Sequence, residues 1–207
     1  MEQNQNPLPP EFDQQQFPQP QYPEAKPRMP FWTAVKTCFK KYCDFKGRAR
    51  RSEYWWFILF ETIVALVWSF LCSLMFSSNA DSLAGSDVPM FSTMLKLTGL
   101  MMLPLLFFLL PQWAVLTRRL HDTGRSGWWV VASLALSAVY TIVYFSMLSQ
   151  MSKSFESGEY VPMSTSLMTI AAILGLAVFV LGIIILVFTV QDSQVGENKY
   201  GPSPKYQ

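Results

Sequence analysis

Apolar residues follow two rhythms along this chain. Four stretches are almost unbroken: Tyr54–Phe76, Leu95–Thr117, Trp128–Ser149 and Leu167–Val190. Trp128–Ser149 and Leu167–Val190 contain no charge, nor does Leu97–Leu116, and Tyr54–Phe76 contains only Glu61. About 20 such residues carry a helix through ~30 Å of hydrocarbon. Each stretch therefore predicts a transmembrane helix, with ends placed to about 2–4 residues. Helices of a large soluble core are usually shorter and keep a polar stripe, so that alternative is disfavoured. In the second stretch Pro104 and Pro111 lie near one face and predict a kinked helix. In the fourth, Ala171 and Gly175 have the spacing that lets helices pack closely, within the bundle or against a second copy.

The second rhythm occupies Phe31–Tyr42. At helical spacing Phe31, Ala34, Val35, Cys38, Phe39 and Tyr42 share one side, and Thr33, Lys36, Thr37 and Lys40 the other. A basic amphipathic helix beside a span is expected to lie in the membrane interface, apolar face down. Upstream, residues 1–30 hold eight prolines among Gln, Asn and acids. Such a tract cannot bury enough apolar surface to offset its ordering entropy, so a disordered tail is expected, without a signal peptide.

The resulting fold class is an all-α membrane protein: four transmembrane helices plus an N-terminal interfacial amphipathic helix. Its segments are a tail (1–30), the interfacial helix and basic collar (31–51), the membrane domain (52–192) and a C-terminal tail (193–207).

Charge adds orientation. Only 14% of the residues are charged, against roughly 25% in soluble domains. Nine basic residues lie between Lys26 and Arg51, and Arg118, Arg119 and Arg125 lie between the second and third stretches. The other connections, 77–93 and 150–166, are acid-biased, so both collars and both termini are expected in the cytoplasm. Lys96 can snorkel at the outer end of its span. Trp55, Trp56, Trp113, Trp128 and Trp129 cluster at the inner boundary as an aromatic belt. Cys38 and Cys43 then face a reducing compartment and Cys72 lies in a span, so no disulfide framework is expected.

Candidate chemistry concentrates in the collars. Arg48, Arg50, Arg51, Arg118, Arg119, His121, Asp122 and Arg125 form a candidate surface for anionic lipid or a partner protein; plain topology determination explains most of the same charge. Glu53 is expected to pair with Arg50 or with an arginine of the second collar. Glu61 sits ~10 Å along its span by helical rise and is the one candidate intramembrane polar residue, structural or part of a transport path. His121 and Asp122 are neighbours, which on a helix do not face one another, so they form no ready catalytic pair. Gly124-Arg125-Ser126-Gly127 matches the GxSG of intramembrane serine proteases. Its serine lies in a loop, however, and the sole histidine is five residues upstream, so chance explains it better. No catalytic residue, cofactor, metal site or nucleic-acid partner is expected.

Four motifs carry a resemblance. They are Tyr42-x-x-Phe45-x-Gly47-Arg48-x-Arg50-Arg51-x-Glu53-Tyr54-Trp55, Arg118-Arg119-Leu120-His121-Asp122, Arg125-Ser126-x-Trp128-Trp129, and Gly196-Glu197-Asn198-Lys199-Tyr200-Gly201-Pro202-x-Pro204. In this order they resemble the YhaH-like bacterial inner-membrane proteins, domain of unknown function 805. The resemblance runs from about Phe31 to Lys205 and implies a small helical inner-membrane domain without assigning an activity. It does not extend to the Gln/Pro-rich tail or the longer outer loops. The expected function is a non-enzymatic scaffold or regulatory protein that gathers lipid headgroups or partners at the collar. The alternatives are a small transporter or channel subunit with Glu61 in the path, and an enzyme acting on lipid through His121 and Asp122.

Overall fold

A computed structural model describes residues 24–78, 98–157, 162 and 164–206. Among these residues are the helices α1 (Phe31–Lys40), α2 (Arg51–Ser78), α3 (Leu103–Asp122), α4 (Trp128–Ser157) and α5 (Thr165–Val190). Among the described residues, extended pairing is confined to two isolated bridges, Ala25 with Tyr206 and Asn198 with Gly201. Helices α2 to α5 are long and apolar enough to cross a membrane. Only 6% of the most apolar windows of α4 and of α5 is buried within the protein, which excludes the soluble-core alternative: these faces suit a hydrocarbon solvent.

The expected tract up to residue 23, and the connections over 79–97, 158–161 and 163, lie outside the described residues. From Ala25 onward the segment expected to be solvated is tied to the body. Lys26 N donates to Lys205 O at 2.9 Å, and Arg50 donates to the carbonyls of Pro27 and Lys26. Trp56 Nε1 donates to Met29 O at 3.1 Å.

Helix α1 starts at Pro30, whose extended backbone (ψ 153°) suits an N-cap, and ends where Lys41 N closes on Thr37 O. Its apolar face does not lie in lipid alone. Ala34, Val35 and Cys38 are buried against α2 and α3, while Trp32 remains exposed. Phe39 meets Phe57 and Phe60 edge-on, and Phe108 completes the cluster with Val115, Ala49 and Cys38. Such aromatic pairs add about 0.5–1.5 kcal/mol each beyond their burial. Helices α4 and α5 form a second unit, in which Gly175 leaves room for Tyr140.

The second span, Thr98–Asp122, is irregular near its first proline. A helical turn begins at Thr98, Met102 interrupts it, and Pro104 sits in the first turn of α3, where its missing N–H costs nothing. Each proline also orphans the carbonyl four residues upstream. Trp68 Nε1 donates to Leu100 O at 3.1 Å, and the Tyr42 hydroxyl donates to Phe107 O at 2.6 Å. Aromatic donors thus replace both missing backbone bonds, which lets Pro111 lie fully buried inside α3.

Candidate functional site

The second span runs five residues beyond its expected end, to Asp122, so Arg118-Arg119-Leu120-His121-Asp122 is the last turn of α3 and not a loop. Cations are favourable at that helix terminus. The turn closes as a Schellman motif: Arg125 N donates to Leu120 O at 2.9 Å and Gly124 N to His121 O at 3.0 Å. Gly124 has φ +75°, and a side chain there would collide with Gln194. Gly127 opens the way into α4, and a Cβ on it would come within 2.9 Å of Thr117 Cγ2.

Asp122 is the centre of the collar. Its Oδ1 accepts from Arg48 Nε at 3.0 Å, and its Oδ2 from Arg119 Nη1 and Ser193 Oγ, both at 2.5 Å. All three ion-pair partners are closed off from solvent, with side chains 0–1% exposed. Arg48 spends its other donors on carbonyls of the C-terminal tail: Gln194 at 2.6 Å, Gly196 at 2.8 Å and Gly201 at 3.2 Å. Arg119 reaches α5, donating to Thr189 O at 3.0 Å and to Gln191 O. One carboxylate therefore joins the chain before α2, the end of α3 and the chain after α5.

A second buried pair lies beside it. Arg118 Nη1 meets Glu53 Oε1 at 2.6 Å, which settles Glu53's partner as an arginine of the second collar. The Cys38 thiol is in the same environment, and burial, with the Glu53 charge next, pushes it up to about 12.

The tail folds into a tight turn in which Asn198 and Gly201 exchange backbone bonds at 2.9 and 3.1 Å. Gly201 has φ +120°, a conformation costly for other residues. The turn lays Tyr200 flat on His121, with ring centroids 3.7 Å apart and planes 7° apart. His121 Nδ1 lies 3.2 Å from Gly47 O, and Asn198 Nδ2 donates to His121 O at 2.9 Å. His121 and Asp122 thus face different partners.

The expected surface residues divide into two groups. Arg48, Arg118, Arg119, His121 and Asp122 are buried, and their polar atoms point mainly inward. Arg51 is exposed and pairs with Asp192 at 3.0 Å. Arg50 is half-buried, and Arg125 lies over the Phe188 ring at 3.6 Å with Nη2 on Gln191. Glu61 stands apart from all of these, with Oε2 buried and without a hydrogen-bond partner among the described residues.

Sequence reasoning gave no role to Thr189, Gln191, Ser193, Gln194 or Tyr200. The available signal was the Gly196–Gly201 block, two glycines bracketing Asn198 and Tyr200.

The rim of the collar encloses a cleft of about 790 Å³. One wall is Ala25–Arg28, another is the α2 face carrying Arg51, Trp55 and Leu59, and Val190, Ser193 and Lys205 close the third side. Asp192, at its edge, is pulled down to about 2. Burial opposes this shift, but hydrogen bonds from Lys205 and the Ser193 N–H, with the Arg51 charge, outweigh it.

Among known proteins, residues 42–202 match the family described as "Protein of unknown function (DUF805)". The chain is 31% identical over 166 residues to the inner membrane protein YhaH of Escherichia coli K12, covering 80% of this chain and 91% of the relative. It is 38% identical over 92 residues to the inner membrane protein YhaI of the same organism, covering 44% of this chain and 63% of the relative. No solved structure matches it.

Proposed function

The chain belongs to the DUF805 family, and on that premise we propose that it is a non-enzymatic inner-membrane protein whose collar binds anionic lipid and gathers partner proteins on the cytoplasmic side. The observation that carries this reading is the division of the collar. Its inner residues are ion-paired with one another, and its outward face carries several cations, with Asp44 and Asp192 exposed among them. Lys36, Lys40, Lys46 and Arg51 are exposed around a framework held by buried ion pairs. Each such cation near an anionic leaflet contributes about 1 kcal/mol. An enzyme acting through His121 and Asp122 is less well supported. Asp122 has both oxygens occupied, and the His121 ring is covered on one face by Tyr200.

Boundary-lipid selectivity tests this reading. In reconstituted bilayers, spin-labelled phosphatidylglycerol should be immobilised more than phosphatidylcholine, and a Lys36→Glu/Lys40→Glu/Lys46→Glu variant should lose most of the difference. Equal immobilisation of the two lipids by the unaltered protein would overturn it. Orientation has a separate test at the exposed Cys43, which should resist impermeant thiol reagents in intact cells and label after lysis.

Glu61 supports the second reading, a transport path, because one buried carboxylate oxygen has no partner inside a span. A cation flux in vesicles that Glu61→Gln abolishes would establish that role.

A further inference from the structure

The cleft at the collar rim has a gradient of chemistry along its depth. Arg51, Trp55 and Leu59 are four residues apart and so share one face of α2, with Ser52 and Trp56 beside them. From Arg51 to Leu59 the helix advances ~12 Å. Charge lies at the top, indole rings in the middle and an aliphatic side chain at the bottom. Arg28, Lys26, Arg50 and Lys205 add four more cations at the top; Asp192 at the edge pairs with Arg51 and Lys205, and Arg50 donates to the Pro27 and Lys26 carbonyls. Trp55, Trp56 and Leu59 are 38, 37 and 43% exposed, so the lower half presents an apolar surface at the start of a membrane span. Arg28 makes no hydrogen bond or ion pair within the described residues and so has its donors available.

We propose that this cleft is a binding site for a single anionic glycerophospholipid, with its phosphate at Arg28 and Arg51 and one acyl chain running down past Trp55 and Leu59. The occupant follows from the gradient. An acidic peptide or a free phosphate would use the cations but leave Trp55, Trp56 and Leu59 uncovered, and a zwitterionic lipid would gain less from the basic rim around Arg28. The wall formed by Ala25–Arg28 is held by the C-terminal tail through Lys26 N to Lys205 O and through Arg50 to Pro27 O. Both ends of the described chain therefore shape the site. This inference rests on the proposal that the collar face meets an anionic leaflet, and it narrows that face to one pocket.

Native mass spectrometry of the full chain in detergent, titrated with phosphatidylglycerol or phosphatidylcholine, tests it. The unaltered protein should take up one phosphatidylglycerol saturably, at a concentration at least tenfold below that needed for phosphatidylcholine. Arg28→Glu, at an exposed side chain without a partner among the described residues, should weaken that first adduct tenfold or more. Leu59→Trp, which fills the lower groove, should weaken it while leaving the charge unchanged. Lys153→Glu, outside both the collar and the cleft, should not. A first adduct lost in Lys46→Glu but retained in Arg28→Glu and Leu59→Trp would overturn the cleft assignment and leave the broader reading standing. No preference for phosphatidylglycerol in the unaltered protein would overturn both.

Discussion

The collar end and the shafts of α4 and α5 are held by opposite means. At the collar, Arg48, Arg118, Arg119, Glu53 and Asp122 are buried in ion pairs of 2.5–3.0 Å. Along the shafts, Leu176, Phe179 and Ile173 are 63–64% exposed to what would be lipid. Lipid tails are as apolar as leucine, so burying such side chains against protein supplies little drive for helices to associate. Polar groups are different, because a buried charge without its partner is costly anywhere. The fold should therefore be specified mainly at the collar, where α3 is joined to the ends of α2 and α5, and the shafts should tolerate change.

The sharpest way to break this contrast is Asp122→Ala. It leaves Arg48 and Arg119 buried without a counter-charge and should cost about 3–5 kcal/mol. Thermal unfolding in detergent reads it, and a loss below about 1 kcal/mol would contradict the importance of the collar. Next is Tyr42→Phe, which leaves the carbonyl orphaned by Pro111 without its donor and should cost about 1–2 kcal/mol by the same assay.

The rim should matter less. Asp192 is half-exposed and its carboxyl lies near 2 instead of its ordinary 3.8. A depressed acid stabilises the folded state above the unfolded value and loses that contribution as pH falls through the folded one. The effect is screened by solvent and worth at most about 1 kcal/mol. Melting temperature should therefore slip between about pH 4 and pH 2, and Asp192→Asn should remove part of that slope. The smallest effect is expected on the shaft. Leu176→Ala should shift stability by no more than about 0.5 kcal/mol, and a loss comparable to that of Asp122→Ala would erase the contrast.

The four spans were legible because twenty apolar residues without charge have few other solutions. The end of α3 was not. Arg118-Arg119-Leu120-His121-Asp122 reads as a candidate binding surface in a salt-bridged connection, since nothing local shows that Arg119 finds carbonyls at Thr189 and Gln191, some seventy residues on. The same long separation hid the tail: Gly196 and Gly201 marked a turn, but Arg48 as its receiver is visible only in three dimensions. Helix α1 was recognised by its periodicity, whereas its packing on Phe57 and Phe108 depends on α2 and α3 lying together. Pro104 and Pro111 announced a disturbance, and the residues that repair it, Trp68 and Tyr42, lie in other elements.

Asp122 locks the C-terminal tail and α5 onto the collar. Hydrogen exchange over residues 191–206 tests it most directly, comparing the unaltered protein with Asp122→Asn, which keeps the side-chain shape but removes the charge. Exchange should be slow in the unaltered protein and at least tenfold faster across this segment in the variant, with the α4 shaft unchanged. Equal protection of the tail in both proteins would contradict it.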